Sequence, residues 1–275
     1  MSNQVSISLE EFLKESLSLA EAAKKGGAII RVIGGFAIYM HSDHSQECRD
    51  LQQSLNRLGG DRPAFTDLDV AAYGSQWKQV TEFLEKVMRF VPNRMINAVY
   101  GRDRLVYNHP VHQYQVDVFL DKLDFSHTIL FGKLGSGRLE IDYPTLNLAD
   151  LMLEKLQIHQ LNKKDMIDML VLLLGHEVGT AQLPQVVDGK HIARTLSQDW
   201  GFWYDATTNL KKTSDLTTTL FNEGKVTREA FEKISSRISA LLTMIDAEQK
   251  SKNWLKRAKD GTRKTWYREV SDLSV

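Results

Sequence analysis

Three carboxylates are the residues best placed to do chemistry in this chain. Asp67 and Asp69 stand two apart in Thr66-Asp67-Leu68-Asp69-Val70, and Asp117 lies within Val116-Asp117-Val118. Side chains at i and i+2 of a β-strand share a face, so Asp67 and Asp69 project together while Leu68 and Val70 point into a core. Neighbouring carboxylates repel, and one is pushed toward protonation unless a cation lies between them. A hard cation such as Mg²⁺ suits that place, because it accepts carboxylates and keeps positions free for substrate phosphates. Asp117 on a neighbouring strand would complete the donor set of a two-metal phosphoryl-transfer site, bridging to the second ion or acting as general base. The same Asp-x-Asp spacing also occurs in solvated turns, so the elements that carry it matter.

Gly34-Gly35 follow an apolar run and precede a short helical pattern. Glycines let backbone approach a phosphate closely, and a helix N-terminus offers free N–H donors. An ordinary tight turn has the same composition. Lys155 sits among Leu151, Met152, Leu156 and Ile158, where a lysine can snorkel to solvent. Asp165 and Asp168 open the next helical pattern, where carboxylates can cap an N-terminus.

Taken in order, these pieces resemble the nucleotidyltransferase superfamily of DNA polymerase β. The resemblance rests on Val32-Ile33-Gly34-Gly35-Phe36-Ala37-Ile38, Thr66-Asp67-Leu68-Asp69-Val70 and Val116-Asp117-Val118-Phe119. Asp150-Leu151-Met152-Leu153-Glu154-Lys155-Leu156 and Lys164-Asp165-Met166-Ile167-Asp168-Met169-Leu170 are similar to helical motifs of the branch that holds abortive-infection toxins of toxin–antitoxin systems. It implies an α/β (α+β) fold, a mixed sheet with flanking helices plus a C-terminal helical domain. It also implies transfer of a nucleoside monophosphate from an NTP to an acceptor, with Mg²⁺ or Mn²⁺ on Asp67, Asp69 and Asp117. The acceptor would be a tRNA 3′ end, a protein side chain or a small hydroxylated molecule, and a cognate antitoxin a further partner. By the same resemblance Gly34 and Gly35 hold the triphosphate, Lys155 reaches its phosphates, and Asp165 or Asp168 completes the site and positions Lys155. Phe36 stands where the commoner pattern carries a hydroxyl. That departure keeps open a second reading, a catalytically silent fold that serves as a binding module or toxin–antitoxin partner.

Bulk properties set the frame. The 275 residues are long enough for a core with an appendage, and 42% are hydrophobic, which excludes a disordered chain. Lys+Arg and Asp+Glu balance at 35 each, so no global field draws the chain onto nucleic acid. One cysteine, Cys48, excludes an internal disulfide framework and fits a reducing cytoplasm. The polar N-terminus lacks a signal-peptide pattern, and the longest apolar run, 169–174, falls well short of the ~20 residues of a membrane helix. A cytoplasmic protein with no membrane partner is expected.

The periodicity predicts a capped helix from Ser8 to Gly26-Gly27, a strand at 28–33 and helices at 36–41 and 47–58. It then predicts the Asp-x-Asp strand at 65–72 and a helix at 76–90. Strands follow at 94–99, 104–108, 114–119 and 139–141. Helices at 148–160, 164–174, 189–199, 214–222 and 227–248 place a catalytic core at 1–145 and a helical domain at 146–275. His41, His44, Cys48, His109 and His112 fit no closed zinc motif. Arg62 could meet a phosphate from its loop, and Asp121 would join Asp117 if the strand ran that far. The basic and aromatic stretch 250–268 suits either RNA contact or a final helix whose tryptophans dock on the core.

Overall fold

The computed structural model describes residues 6–59 and 65–269; Gly60 and Arg62 lie outside them. The chain divides into two compact units. The first comprises Met1–His41, Asn56–Leu123 and Leu130–Asn147, and the second Ser42–Leu55, Asp124–Ile129 and Leu148–Val275. This division differs from a cut at 145/146 in three segments: Ser42–Leu55 and Asp124–Ile129 group with the second unit, and Leu146–Asn147 with the first.

The first unit is a mixed sheet with flanking helices. Helix α1 (Leu9–Lys25) opens with a capping box in which Ser8 Oγ accepts the Glu11 N–H and Glu11 accepts the Ser8 N–H. Strand β1 (Ile30–Val32) leads into α2 (Gly34–Ser42). After β2 (Asp67–Ala72) come a 3₁₀ turn, α4 (Trp77–Glu82) and a π turn at Phe83–Val87. Next are β3 (Val91–Pro92), α5 (Arg94–Tyr100), β4 (Arg104–Asn108) and β5 (Gln115–Leu120). The sheet order is β1-β2-β5-β4-β3, with β2 and β5 parallel and the other neighbours antiparallel. Leu68, Val70, Val116, Val118, Leu105 and Tyr107 alternate onto one face and are all buried. That apolar face pins the register, since a slip of one residue would turn it out and the aspartates in.

Two expected strands are not strands. Residues 94–99 form α5, because Asn93 Oδ1 caps the Ile96 N–H at 3.2 Å and Asn97 Oδ1 accepts the Val106 N–H at 2.7 Å. Their apolar residues are not core: Met95 is 79% and Val99 70% exposed. Residues 139–141 lie in and beside a 3₁₀ turn, Arg138–Glu140, held by Tyr73 Oη, which accepts the Leu139 N–H.

The second unit is mostly helical. It holds α3 (Gln46–Ser54), which stops four residues short of the expected end. Strands β6 (Lys122–Asp124) and β7 (Thr128–Leu130), which cross the division at Leu123/Asp124 and Ile129/Leu130, form a separate two-stranded sheet. Helices α6 (Leu148–Leu156) and α7 (Lys163–Gly175) follow, then a short parallel pair, β8 (Glu177–Gly179) and β9 (Val186–Asp188). Helices α8 (Gly189–Leu196), α9 (Trp200–Asn222), α10 (Arg228–Ala247) and α11 (Lys252–Ala258) complete it. Helix α9 runs through the aromatic segment that precedes the expected 214–222 helix, because Asp199 Oδ1 caps the Phe202 N–H at 3.1 Å. Among the described residues no helix is long and apolar enough to cross a membrane.

Candidate functional site

The parallel pairing of β2 and β5 sets Asp69 directly against Asp117 and Asp67 against Gln115. All three aspartates lie on the sheet face opposite the apolar core. They grade from exposed Asp67 through half-buried Asp69 to Asp117, which is 7% exposed. The row therefore runs from solvent inward.

Asp117 is compensated from β4. Arg104 pairs in register with Phe119, which puts it on the same face, and its Nη2 donates to Asp117 Oδ2. The guanidinium also lies 5.2 Å from the Phe119 ring centre. The other oxygen, Asp117 Oδ1, is buried and accepts no hydrogen bond. Burial pushes the Asp117 carboxyl above its ordinary value and nearby Asp67 adds to the rise, while Arg104 opposes it. Nothing in the sequence marked Arg104, which reads there as the polar first residue of a strand.

The glycine turn lies beside this row. Val32 pairs with Val70, and the Ile33 N–H donates to the Asp69 carbonyl at 3.0 Å, so the next residues rise alongside Asp67–Asp69. Gly34 has φ +74°, a left-handed conformation that a side chain would strain. Helix α2 starts at Gly34 itself, two residues before the expected position. Phe36 turns away from this turn and is buried. Its ring lies 4.6 Å from Phe12, 4.9 Å from Phe65 and 5.9 Å from Tyr39.

Asp121 does not extend the row. Strand β5 ends at Leu120, and Asp121 turns at φ +63° so that its Oδ1 accepts the Gly74 N–H at 2.9 Å.

Lys155, Asp165 and Asp168 meet in the second unit. The Lys155 ammonium lies 3.1 Å from Asp165 Oδ1 and 3.0 Å from Asp168 Oδ2, and all three side chains are buried. Burial disfavours its charge, but Asp168 and Asp165 outweigh that and hold the pKa above the usual lysine value. Lys155 thus does not snorkel to solvent. Nor do Asp165 and Asp168 cap α7; Asn162 does, its Oδ1 accepting the Asp165 N–H at 3.0 Å.

Among the described residues, the one group of three or more His, Cys, Asp or Glu whose ligand atoms all lie within 4.8 Å of one another is Glu15, His109 and His112. Asp67, Asp69 and Asp117 do not form such a group. Glu15 Oε1 lies 3.2 Å from His112 Nε2, and Oε2 lies 3.6 Å from His109 Nε2 and accepts the Tyr114 hydroxyl at 2.7 Å. His109 Nδ1 accepts the N–H groups of Val111 and His112 at 3.1 and 2.7 Å. That leaves the proton of the neutral ring on Nε2, where a metal would have to bind. The donors therefore fit a hydrogen-bonded clamp between α1 and the β4–β5 loop rather than a metal. His41 is likewise occupied, its Nε2 lying 2.6 Å from Thr145 Oγ1, and Cys48 Sγ donates to the Val171 carbonyl.

The C-terminal aromatics dock on the second unit. Trp266 Nε1 donates to Asp205 Oδ1 at 3.0 Å, Tyr267 stacks on His159 at 3.5 Å, and Trp254 packs edge-on against Trp203. Lys252, Lys256, Lys259, Arg263 and Lys264 stay exposed.

The sequence matches no family model, and no curated protein or solved structure matches the chain significantly.

Proposed function

We propose that this chain is a metal-dependent nucleotidyltransferase of the polymerase β-like kind, moving a nucleoside monophosphate from an NTP to an acceptor hydroxyl with release of pyrophosphate. One observation carries the reading: Asp69 and Asp117 stand in register on adjacent parallel strands, with Asp67 on their face and the left-handed Gly34 turn alongside. The donor chemistry fits a hard cation, since Asp67 and Asp69 offer carboxylate oxygens from one sheet face on its solvent side. Asp67 and Asp69, nearest solvent, would hold Mg²⁺ or Mn²⁺, which when bound neutralises charge on the NTP phosphates. Gly34 and Gly35 would offer backbone N–H groups to those phosphates. Asp117 would take the proton of the acceptor hydroxyl. The acceptor is a tRNA or other RNA 3′ end, a protein or a small molecule, and a cognate antitoxin is the matching partner in the toxin reading. The buried pairing of Lys155 with Asp165 and Asp168 is accounted for without a phosphate, so the proposal rests on the first unit.

The test is thermal denaturation with Mg²⁺ or Mn²⁺, with and without each NTP, beside transfer of α-labelled NTP to bulk tRNA or to the protein itself. A cation at about 100 times its Kd should add ~2.7 kcal/mol of stability. The variant Asp67→Asn/Asp69→Asn should fold and lose both that shift and any transfer; an unchanged metal response in it sinks the reading. Burial of Phe36 in an aromatic cluster, with no hydroxyl at the turn, favours the silent alternative. Stabilisation by NTP with no transfer of label would select that alternative.

A further inference from the structure

We infer that Arg104 takes the place of a second metal ion, so that the aspartate row binds one divalent cation per chain and leaves Asp117 outside the metal shell. This rests on the nucleotidyltransferase reading and specifies its cation requirement. A third carboxylate beside two others invites a second ion, because three negative charges on one sheet face repel one another. Here a fixed positive charge already answers the third one. Arg104 Nη2 bonds to Asp117 Oδ2 within the same face, and the guanidinium is steadied by the Phe119 ring. Arg104 Nε is buried without a hydrogen-bond partner, so the group is held by its ion pair and its stacking. An arginine cannot shed its charge as a lysine can. A divalent ion approaching Asp117 from the Arg104 side would meet that charge at short range with little water to screen it.

Asp67 and Asp69 remain on the solvent side, where one ion can enter. Asp117 Oδ1 keeps its lone pairs for a proton. Arg104 is thus a positioning residue: it orients Asp117 through the Oδ2 bond without touching the nucleotide.

The experiment counts Mn²⁺ bound to the full chain by titration with electron paramagnetic resonance, without nucleotide. Wild type should bind one Mn²⁺. Arg104→Gln keeps a hydrogen-bond donor for Asp117 but drops the charge, and should bind two. Arg104→Lys should stay at one, and Arg104→Gln/Asp117→Asn should return to one. Because Arg104→Gln leaves Asp117 poorly compensated, its thermal midpoint should also rise more with Mn²⁺ than that of wild type, a readout that holds even if the metal-free variant is weakly folded. Two ions on wild type overturn the inference, as does a folded Arg104→Gln that binds one ion and shows no added Mn²⁺ stabilisation. Wild type binding no Mn²⁺ at millimolar concentration is a different failure: it removes the nucleotidyltransferase reading itself.

Discussion

Phe36 shows how a single residue can be misread from its motif and explained by its packing. At the turn it stands where a hydroxyl is the commoner choice, yet its ring is shared among Phe12, Phe65 and Tyr39 in the aromatic cluster that docks α1 and α2. Restoring the hydroxyl with Phe36→Ser should therefore not improve nucleotide use. It should destabilise the first unit by ~3–5 kcal/mol, as emptying a buried aromatic site does. Urea unfolding measures this, and a loss below ~1 kcal/mol would show that the cluster closes over the gap. Gly34 is the opposite case, a residue whose identity follows from backbone alone: φ +74° admits glycine and strains anything larger.

At the scale of elements, α6 and α7 are joined by charge as well as by leucines. Lys155 from α6 is held between Asp165 and Asp168 of α7, all three out of solvent. Lys155→Ala would leave two buried carboxylates facing each other, a change that typically costs ~3–5 kcal/mol. The expected result is a marked fall in the unfolding midpoint. A variant as stable as wild type would mean that water reaches the pair, and would reopen a role for Lys155 at a ligand. Helix α5 makes a related point about patterning. Its apolar residues fall at 95, 96, 98 and 99, a helical rather than a strand spacing, and the Asn93 cap and the Asn97 bonds to Val106 fix the helix while Met95 and Val99 stay in solvent.

At the scale of the whole molecule, Asp205 ties together segments far apart in the chain. It accepts N–H groups from His127, His159 and Trp266, at 2.8, 3.0 and 3.0 Å. Burial works to raise its pKa, but the bonds from His127, Trp266 and His159 win and hold it below the ordinary carboxylate value. A depressed carboxylate adds stability that is fully present above its unfolded value, near ~4, and is lost as the pH falls through the lower folded value. Asp205→Asn should therefore be less stable than wild type by roughly 2–4 kcal/mol at neutral pH. The gap should begin to close as the pH falls below about 4 and disappear once the pH passes through the lower folded value, where wild type also loses the charge. Unfolding curves from pH 7 to 3 test this; a gap that stays constant would assign the loss to packing instead.

Much of this was written in the sequence because the determining interactions are local. The Ser8 box, the i, i+2 aspartates and the apolar alternation of β2 and β5 depend on neighbours a few residues away, and strand geometry alone puts Asp67 and Asp69 on one face. What no local pattern contains is pairing. That Asp69 faces Asp117, that Arg104 pairs with Asp117, and that Glu15 clamps His109 and His112 follow from strand order and helix docking. The sequence also left the tail at 250–268 open between RNA contact and docking. Tertiary contacts half-bury its aromatic faces against α9 and His159 while Lys252, Lys256, Lys259 and Lys264 remain in solvent. Each of these was decided by groups distant in the chain, because charge and ring contacts act through space and periodicity reports only on one element at a time.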